Sequence, residues 1–124
     1  MWVAVVGGCI VGYLEAGFES NFTGRCVIPD WVETPHGYLV LLAVLQSHRR
    51  MGIASASLRA CCVAAEERGV SFVVGSPADL DDGMDARTGF FARYGLEAVG
   101  FGVDHHLIGA TVQDVLDRIE ADAQ

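Results

Sequence analysis

The side chains best suited to chemistry stand in one short segment, SHRRMGIAS (residues 47–55), which joins an apolar run to an alanine-rich stretch. When a strand runs directly into a helix, the first N–H groups of the helix have no backbone partner, and the helix dipole adds partial positive charge there. Gly52 and Ala54 leave room for a ligand to approach this backbone, and Arg49 and Arg50 add two cations. The segment therefore predicts a site for a phosphate or pyrophosphate.

The overall charge limits the partners that such a site can serve. The chain has 124 residues, enough for one domain, and a net charge of −8; all eight of its basic residues are arginine. Because binding to nucleic acid or to an anionic membrane needs clustered basic residues, we expect neither partner. An anion must then be held by a local arrangement of donors.

The cysteines give no sign of a metal site. Cys9, Cys26, Cys61 and Cys62 form no C-x-x-C pair and have no histidine at metal-ligand spacing. We therefore expect no metal, and we predict reduced, largely buried thiols in a cytoplasmic protein. The apolar start of the chain lacks the basic residues of a signal peptide, and no apolar stretch reaches the roughly 18 residues of a transmembrane helix.

The first third of the chain predicts a hairpin and then a buried strand. Trp2–Val6 and Ile10–Phe18 are rich in β-branched and aromatic residues and flank a Gly-Gly pair, which suits a tight turn with positive φ angles. Residues 20–37 have the composition of an irregular or weakly stranded segment. Tyr38–Val44 is apolar at every position, so we expect a central strand covered on both faces.

A βαβ unit is predicted next. Gly52–Arg68 has the pattern of a helix that stops at Gly69, and Val70–Val74 predicts a second strand, parallel to the first and reached by a right-handed crossover. The helix is expected to bury one stripe of residues, namely Ile53, Ser57, Ala60, Cys61 and Ala64.

The remaining residues complete a single α/β domain. Ala86–Tyr94 predicts a short helix, Leu96–Gly102 and Val103–Ile108 predict two strands, and Thr111 is a good N-cap for an amphipathic terminal helix. The adjacent histidines of the second strand would face opposite sides, which is poor geometry for chelation. The sequence contains neither an internal repeat nor a linker, so we expect residues 1–124 to form one domain.

Other phosphate-binding motifs fit less well. A P-loop requires a lysine, and the chain has none. The stretch Gly7–Gly12 resembles a dinucleotide fingerprint, but Cys9 stands where a second glycine should admit the pyrophosphate. A hairpin turn is the better interpretation of these glycines, and a flavin or nicotinamide domain is an alternative.

Two segments resemble motifs of the GNAT N-acetyltransferase superfamily. AVLQSHRRMGIAS is similar to motif A, whose pattern Arg/Gln-x-x-Gly-x-Gly/Ala is filled by Arg49, Gly52 and Ala54. TGFFARYGLEAVG is similar to motif B, a phrase like Phe-Tyr-x-x-x-Gly-Phe. The residues that fall on this second pattern are Phe90, Phe91, Gly95 and Leu96. The resemblance extends over roughly residues 2–102.

The resemblance implies a GNAT-like fold, a mixed and splayed β-sheet flanked by helices with a central βαβ unit. Acetyl-CoA would lie in the V between the Tyr38–Val44 and Val70–Val74 strands. Backbone groups of Leu42, Ala43 and Val44 would pair with the pantetheine arm. The remaining CoA contacts implied by the family are Arg49, Arg50, Met51, Gly52, Ile53, Ala54, Ser55 and Phe91.

The chain departs from the family pattern in two ways. The first strand and first two helices of the family should precede the hairpin, yet the chain begins almost at that hairpin, so we expect a minimal member, a truncated chain, or a wall supplied by a partner subunit. In addition, Phe91 stands where many members have the tyrosine that protonates the CoA thiolate.

These departures keep two functions open. One is an acyl-CoA N-acyltransferase with direct attack in a ternary complex, and the other is a degenerate CoA-binding sensor or assembly module.

The acceptor is expected to be an amine on a small molecule, a peptide or a protein. Glu33 and His36, just before the central strand, are the candidate bases that would keep this amine neutral. An acidic segment (Asp79, Asp81, Asp82 and Asp85) is either a solvated turn or an attractor for a cationic amine, which the net charge also favours. Exposed sheet edges make a homodimer plausible.

Overall fold

The backbone of the described residues forms six strands and three helices. The structure is a computed structural model that describes residues 1–48, 52–76 and 84–122. In chain order the elements are β1 (Trp2–Val6), β2 (Cys9–Ser20), β3 (His36–Val44), α1 (Ile53–Glu67), β4 (Phe72–Gly75), α2 (Met84–Arg93), β5 (Glu97–Ala98), β6 (Ile108–Thr111) and α3 (Val112–Asp122). Within these ranges, none of the helices combines the length and apolarity needed to cross a bilayer.

The strands form one mixed sheet in the order β1-β2-β3-β4-β6-β5. β3 and β4 are parallel and are connected through α1, whereas the other neighbouring strands are antiparallel. The predicted mixed sheet with a central βαβ unit is therefore confirmed. A parallel pair requires a long crossover, and α1 provides it.

The N-terminal hairpin turns at two glycines, as predicted. Gly7 has a φ of 58° and Gly8 a φ of 83°, which are the two positive φ values that a type I′ turn requires. The next pair across the strands joins Val6 to Cys9. The glycines of this stretch thus serve a turn, and the alternative of a dinucleotide-binding loop, which needs a helix after the glycines, is wrong.

β3 carries a bulge that the sequence does not reveal. Glu15 of β2 lies opposite Leu41, whereas Ala16 lies opposite Leu39, so Val40 is an additional residue on β3. The bulge turns Val40 outward, where 39% of its surface is exposed, while Leu39 and Leu42 are both buried. The expectation that this strand is covered on both faces is therefore wrong at Val40.

Helix α1 buries a wider stripe than predicted. Its buried residues are Ser57, Leu58, Cys61, Cys62 and Ala65. The predicted Ala60 and Ala64 are only half-buried. The stripe is wider because α1 contacts both the sheet and α3, so a single row at 3–4 spacing does not describe its buried face. Gly69, with a φ of 74°, follows the end of the helix as expected.

The segment predicted as strand Val103–Ile108 is a turn. Gly102–Asp104 forms a 3-10 turn, and β6 begins only at Ile108. Gly102 has a φ of 53°, and Asp104 is bound to Arg25, which lies far away in the sequence. These two features fold the chain back, although the residues themselves favour a strand.

The predicted strand Leu96–Gly102 is much shorter than expected, because β5 contains only Glu97 and Ala98, and the remaining boundaries shift by one or two residues. The helix predicted at Ala86–Tyr94 is α2, which already begins at Met84, and the second parallel strand begins at Phe72 rather than at Val70. Helix α3 starts as predicted, because the Thr111 Oγ1 accepts a hydrogen bond from the Asp114 N–H at 3.2 Å.

Two apolar clusters lie on opposite faces of the sheet. Val73 belongs to the cluster that includes residues of α1 and α3, whereas its neighbours Phe72 and Val74 belong to the second. Since successive side chains of a strand point to opposite faces, the second cluster lies on the face away from α1. Its other buried members are Phe22, Cys26 and Leu107.

Close packing at Gly12 makes the position of α1 testable. A Cβ atom on Gly12 would lie 2.7 Å from Cγ2 of Ile53, the first residue of α1. We expect Gly12→Ala to lower the free energy of unfolding by about 1–3 kcal/mol, because Ile53 would have to move. Urea unfolding measures this change.

Gly17 provides the matched control on the same strand. A Cβ atom there meets no atom of the described residues within 4 Å, so Gly17→Ala should leave the free energy of unfolding unchanged or raise it by up to about 1 kcal/mol. Equal effects of the two substitutions would contradict the close approach of α1 to β2.

Candidate functional site

The sheet opens at the parallel pair. The β3–β4 register runs from Gly37 opposite Val73 to Leu39 opposite Gly75, and β4 ends there. β3 continues to Val44, so β4 does not accompany its second half. The bulge at Val40 lies directly at this point of separation, and it bends β3 where the parallel pairing stops.

The first turn of α1 lies beside the second half of β3. Gly12 pairs with Val44, and the space above Gly12 is filled by Ile53. The structure therefore brings the beginning of α1 close to the end of β3. The predicted strand residues Leu42, Ala43 and Val44 and the predicted turn residues from Gly52 to Ser55 are on neighbouring elements.

Gly52 leaves the N-terminus of α1 accessible. It is exposed, has a φ of 79° and supplies no side-chain cap. The first helical bond runs from the Ala56 N–H to the Gly52 carbonyl at 3.0 Å, so the N–H groups before Ala56 precede the helical ladder. Such a terminus favours an anionic ligand. Arg49, Arg50 and Met51 lie outside the described residues.

Ser55 points back into the helix. Its hydroxyl donates a hydrogen bond to the Gly52 carbonyl at 3.1 Å, which satisfies a group of the turn itself. A donor role toward a phosphate, as the sequence suggested, would require rotation of this hydroxyl. The side chains of Ile53 and Ala54 are half-buried at the start of the same helix.

Hydrogen bonds connect the end of α2 to the C-terminal helix. The Tyr94 hydroxyl donates to Asp122 at 2.8 Å, and Arg93 also binds Asp122. Burial and the bond to Asp122 raise the pKa of Tyr94, and the nearby Ser55 side chain opposes that rise. The end of α3 and the residue after α2 are thus joined close to the first turn of α1.

Phe91 lies in the core. Its ring has no exposed surface, and it packs edge-to-face against Phe90 with the ring centroids 5.3 Å apart. Any contact of Phe91 with a ligand in this conformation would have to involve a change in the surrounding core. The role of Phe91 in CoA binding stays a prediction.

The two candidate bases differ in their surroundings. Glu33 is exposed in the segment before β3. His36 is only 1% exposed, and its Nδ1 accepts a hydrogen bond from the Phe22 N–H at 3.0 Å. This bond requires a lone pair on Nδ1, so the neutral ring carries its proton on Nε2. Burial lowers the pKa of His36. In this conformation His36 has no lone pair free for a substrate proton.

A polar cavity of about 510 Å³ lies on the face away from α1. It is lined by Ser20, Asn21, Phe22, Arg25, Tyr38, His106 and Leu107. Sequence reasoning missed it, because the residues come from three distant segments and form no motif. His106 is in a turn rather than on a strand, which corrects the expected placement of the two histidines. The aspartates at 79, 81 and 82 lie outside the described residues.

The described part of the chain contains no group of three or more His, Cys, Asp or Glu side chains placed to hold a metal ion. The four cysteines are free thiols, and three of them are buried; Cys9 is exposed.

Comparison with known families gives one match that covers most of the chain. The sequence model described as "Acetyltransferase (GNAT) family" matches residues 1–96. This range contains β3, the turn at Gly52 and all of α1 and β4, so the match includes each element of the opening.

Individual proteins are similar to parts of the chain or to its fold. An N-alpha-acetyltransferase of Sulfurisphaera tokodaii is 38% identical over 66 residues, which are 53% of this chain and 38% of the relative; the chain therefore matches well under half of that protein's length. Ard1 of Thermoplasma volcanium has a TM-score of 0.64 at 18% identity, with 88% of this chain and 68% of that chain covered. A mutant of the toxin AtaT, solved with the C-terminus of its antitoxin AtaR and acetyl-CoA, has a TM-score of 0.56 at 15% identity, covering 86% and 61%. These structures share the fold.

The buried histidine makes stability depend on pH. Because burial lowers the folded-state pKa of His36, the unfolded chain takes up a proton that the native state resists once the pH falls below about 6.5. We expect the free energy of unfolding to decrease as the pH is lowered from 8 toward 5. In His36→Asn this decrease should be smaller, since the amide oxygen can still accept the Phe22 N–H bond but does not titrate.

His48 serves as the control for this comparison. It is half-buried after β3 and hydrogen-bonded to Ser47 at 2.8 Å, so His48→Asn reports the effect of replacing a histidine that lies outside the core. Urea unfolding at a series of pH values measures both variants. Identical pH profiles for His36→Asn and the parent would contradict the buried, neutral state of His36.

Proposed function

The chain belongs to the acetyltransferase (GNAT) family, and from this membership we propose that it transfers an acetyl group from acetyl-CoA to a primary amine by direct attack in a ternary complex. The observation that carries the proposal is the accessible, uncapped start of α1 beside the end of β3, within the matched range. The curated relative with 38% identity is named an N-alpha-acetyltransferase, which supports the same type of reaction.

The residues around Gly52 suit the pyrophosphate of CoA. A Cβ atom on Gly52 would meet no atom of the described residues within 4 Å, which supports space for a ligand against this backbone. The N–H groups of Ile53, Ala54 and Ser55 are in the first turn, where a helix favours an anion. Arg49 and Arg50 are proposed to add positive charge at the same place.

The strand edge suits the extended part of CoA. The pantetheine arm is proposed to lie along β3 beside Leu42, Ala43 and Val44, beyond the point where the pairing of β3 with β4 ends. When bound there, acetyl-CoA supplies the thioester whose carbonyl carbon is attacked. The bulge at Val40 changes the direction of the β3 backbone near this carbonyl and is proposed to orient an N–H group toward it.

Proton transfer is the remaining requirement of the reaction. The amine must be neutral to attack, its nitrogen then loses a proton as the C–N bond forms, and the CoA sulfur gains a proton as the C–S bond breaks. Glu33 is the proposed base, because its carboxylate is exposed. His36 stays a second candidate, although its conformation would have to change. Since phenylalanine cannot donate a proton, we propose that water protonates the thiolate.

A second function follows from the same observation on Phe91. Without a tyrosine hydroxyl at this position, the chain has no side-chain donor where many family members carry the general acid. A CoA-binding sensor or assembly module would need the opening beside β3 but no acid. This alternative differs from the first only in turnover.

We also propose that a second copy of the chain covers the outer hairpin. β1 is an edge strand. Val3 and Val5 are exposed on one face of β1, and Ile10 lies opposite Val5 and is exposed as well. An exposed apolar edge strand commonly pairs with another chain. Sedimentation that finds only monomers at high micromolar concentration would count against this homodimer.

Release of free thiol from acetyl-CoA tests the proposed function. We expect release that depends on an added amine, measured with a panel of amino acids, peptides, polyamines and aminoglycosides. Thermal stabilisation by CoA without release for any amine would favour the sensor, and the lack of any stabilisation by CoA would contradict both functions.

A charge at Gly52 tests the position of the CoA site. Gly52→Asp should weaken CoA binding by at least about 100-fold, because a carboxylate would lie against the pyrophosphate within the first turn. Isothermal titration of CoA measures the affinity, and urea unfolding shows that the fold persists.

Gly52→Asn is the matched control, because asparagine has the same shape without the charge. Asparagine and aspartate both tolerate a positive φ better than other residues do, so the two variants should have similar stability. A large difference in CoA affinity between them would isolate the charge. Unchanged affinity in Gly52→Asp would show that the pyrophosphate binds elsewhere.

A further inference from the structure

The polar cavity described above lies at the same end of the sheet as the opening between β3 and β4. Tyr38, which lines it, is opposite Val74, one pair before the parallel register ends. Leu107, which also lines it, directly precedes Ile108, the partner of Gly75. The cavity is therefore next to the end of β4, on the face of the sheet away from α1.

Arg25 is held in a fixed orientation at this cavity. Its Nε and Nη2 donate to the two carboxylate oxygens of Asp104 at 3.2 and 2.8 Å, and its guanidinium lies 5.2 Å from the centroid of the Phe22 ring. One edge of the guanidinium is thus occupied by Asp104, which leaves the Nη1 hydrogens for other partners. A planar guanidinium binds a carboxylate with well-defined geometry.

The accessible charge of the pair is positive. The side chain of Arg25 is 51% exposed, whereas that of Asp104 is only 18% exposed. A ligand in the cavity therefore meets the cation more readily than the anion. His106, another lining residue, lies near enough to Asp104 to help lower the pKa of its carboxyl, after the larger effect of Arg25.

The other polar groups around the cavity are suited to donate hydrogen bonds. The Oδ1 of Asn21 accepts the Thr23 N–H at 3.0 Å, so the remaining end of this amide is its NH₂ donor. Ser20 contributes a hydroxyl. Among the described residues that line the cavity, none carries a carboxylate. Donors and one cation thus surround the space.

We propose that this cavity binds a carboxylate of the acceptor, so that the preferred acceptor is an amine that also carries an anionic group. The proposal rests on the proposed acetyl transfer, since it assigns the acceptor side of that reaction. The carboxylate accepts hydrogen bonds from Arg25 and Asn21, while the amine nitrogen of the same molecule reaches toward the end of β4. Two sources supply this chemistry: the α-carboxylate of a free amino acid, and the acidic side chain of the first residue of a peptide.

Paired acceptors test the proposal and separate its two sources. One pair is a peptide that begins with glutamate and its counterpart that begins with glutamine; the other is alanine and alaninamide. We expect kcat/KM to be at least about tenfold higher for the acceptor with the carboxylate in one of the pairs. The difference should arise mainly from a lower KM, because a charge-assisted hydrogen bond strengthens binding of the acceptor. The pair that shows the preference identifies the source. Equal values within both pairs would overturn the proposal.

Variants of Arg25 link the preference to the cavity. Arg25→Gln should abolish it, with the affinity for CoA unchanged, and Arg25→Lys should retain part of it. The double variant Arg25→Gln/Asp104→Asn removes the ion pair as a unit, so that no unpaired carboxylate is left behind. Arg59→Gln, at an exposed position of α1, is the control and should keep the full preference. For each variant, the ratio of kcat/KM between the two acceptors of a pair is compared with the same ratio in the parent protein. Intrinsic differences in reactivity between the two amines therefore cancel.

Binding of the acetylated products tests the carboxylate site without requiring turnover. Its result can therefore be distinguished from that of the proposed transferase function. In the presence of CoA, N-acetylalanine and an acetylated glutamate peptide should bind at least about tenfold more tightly than their amide counterparts, and only when Arg25 is present. If no amine is turned over but this difference persists, the transferase function fails and the carboxylate site stands. If neutral amines are turned over and Arg25→Gln has the kinetics of the parent, the site is overturned and the function stands.

Discussion

The parallel pairing of β3 and β4 ends after Leu39 and Gly75, and the other features of the site depend on this early end. β3 keeps its pairing with β2 as far as Val44 and bends at the Val40 bulge, whereas its pairing with β4 ends at Leu39. The opening is thus a consequence of strand length and register, and it is independent of any particular side chain.

Helix α1 gives this opening its chemical character, and its placement depends on a contact that admits no additional atom. Gly12 has no side chain, so Ile53 fills the space above β2, and the first turn of α1 settles beside the end of β3. A helix whose first turn is fixed by this packing keeps its first N–H groups in place before a ligand arrives, which reduces the entropy lost on binding.

The sequence predicted those features that depend on local pattern. The Gly-Gly hairpin, the strand-to-helix junction at Gly52 and the Thr111 cap each follow from residue type and spacing over a few positions. The bulge at Val40 was missed because an uninterrupted apolar run has no alternation from which to detect a shift of face. The turn at Gly102–Asp104 and the polar cavity were missed for another reason: Arg25 and Asp104 meet through the tertiary fold, and no local pattern records this pairing.

The net charge and the local charges act over different distances. A net charge of −8 acts on an approaching molecule before contact, and screening restricts its effect to roughly 8 Å at physiological ionic strength. Within contact distance, oriented donors such as the guanidinium of Arg25 determine what binds. The general expectation that an acidic chain takes a basic acceptor therefore concerns the rate of encounter, whereas the proposed carboxylate site concerns affinity. For an anionic acceptor these two effects oppose each other, so moderate salt should speed its association while it weakens the contact with Arg25.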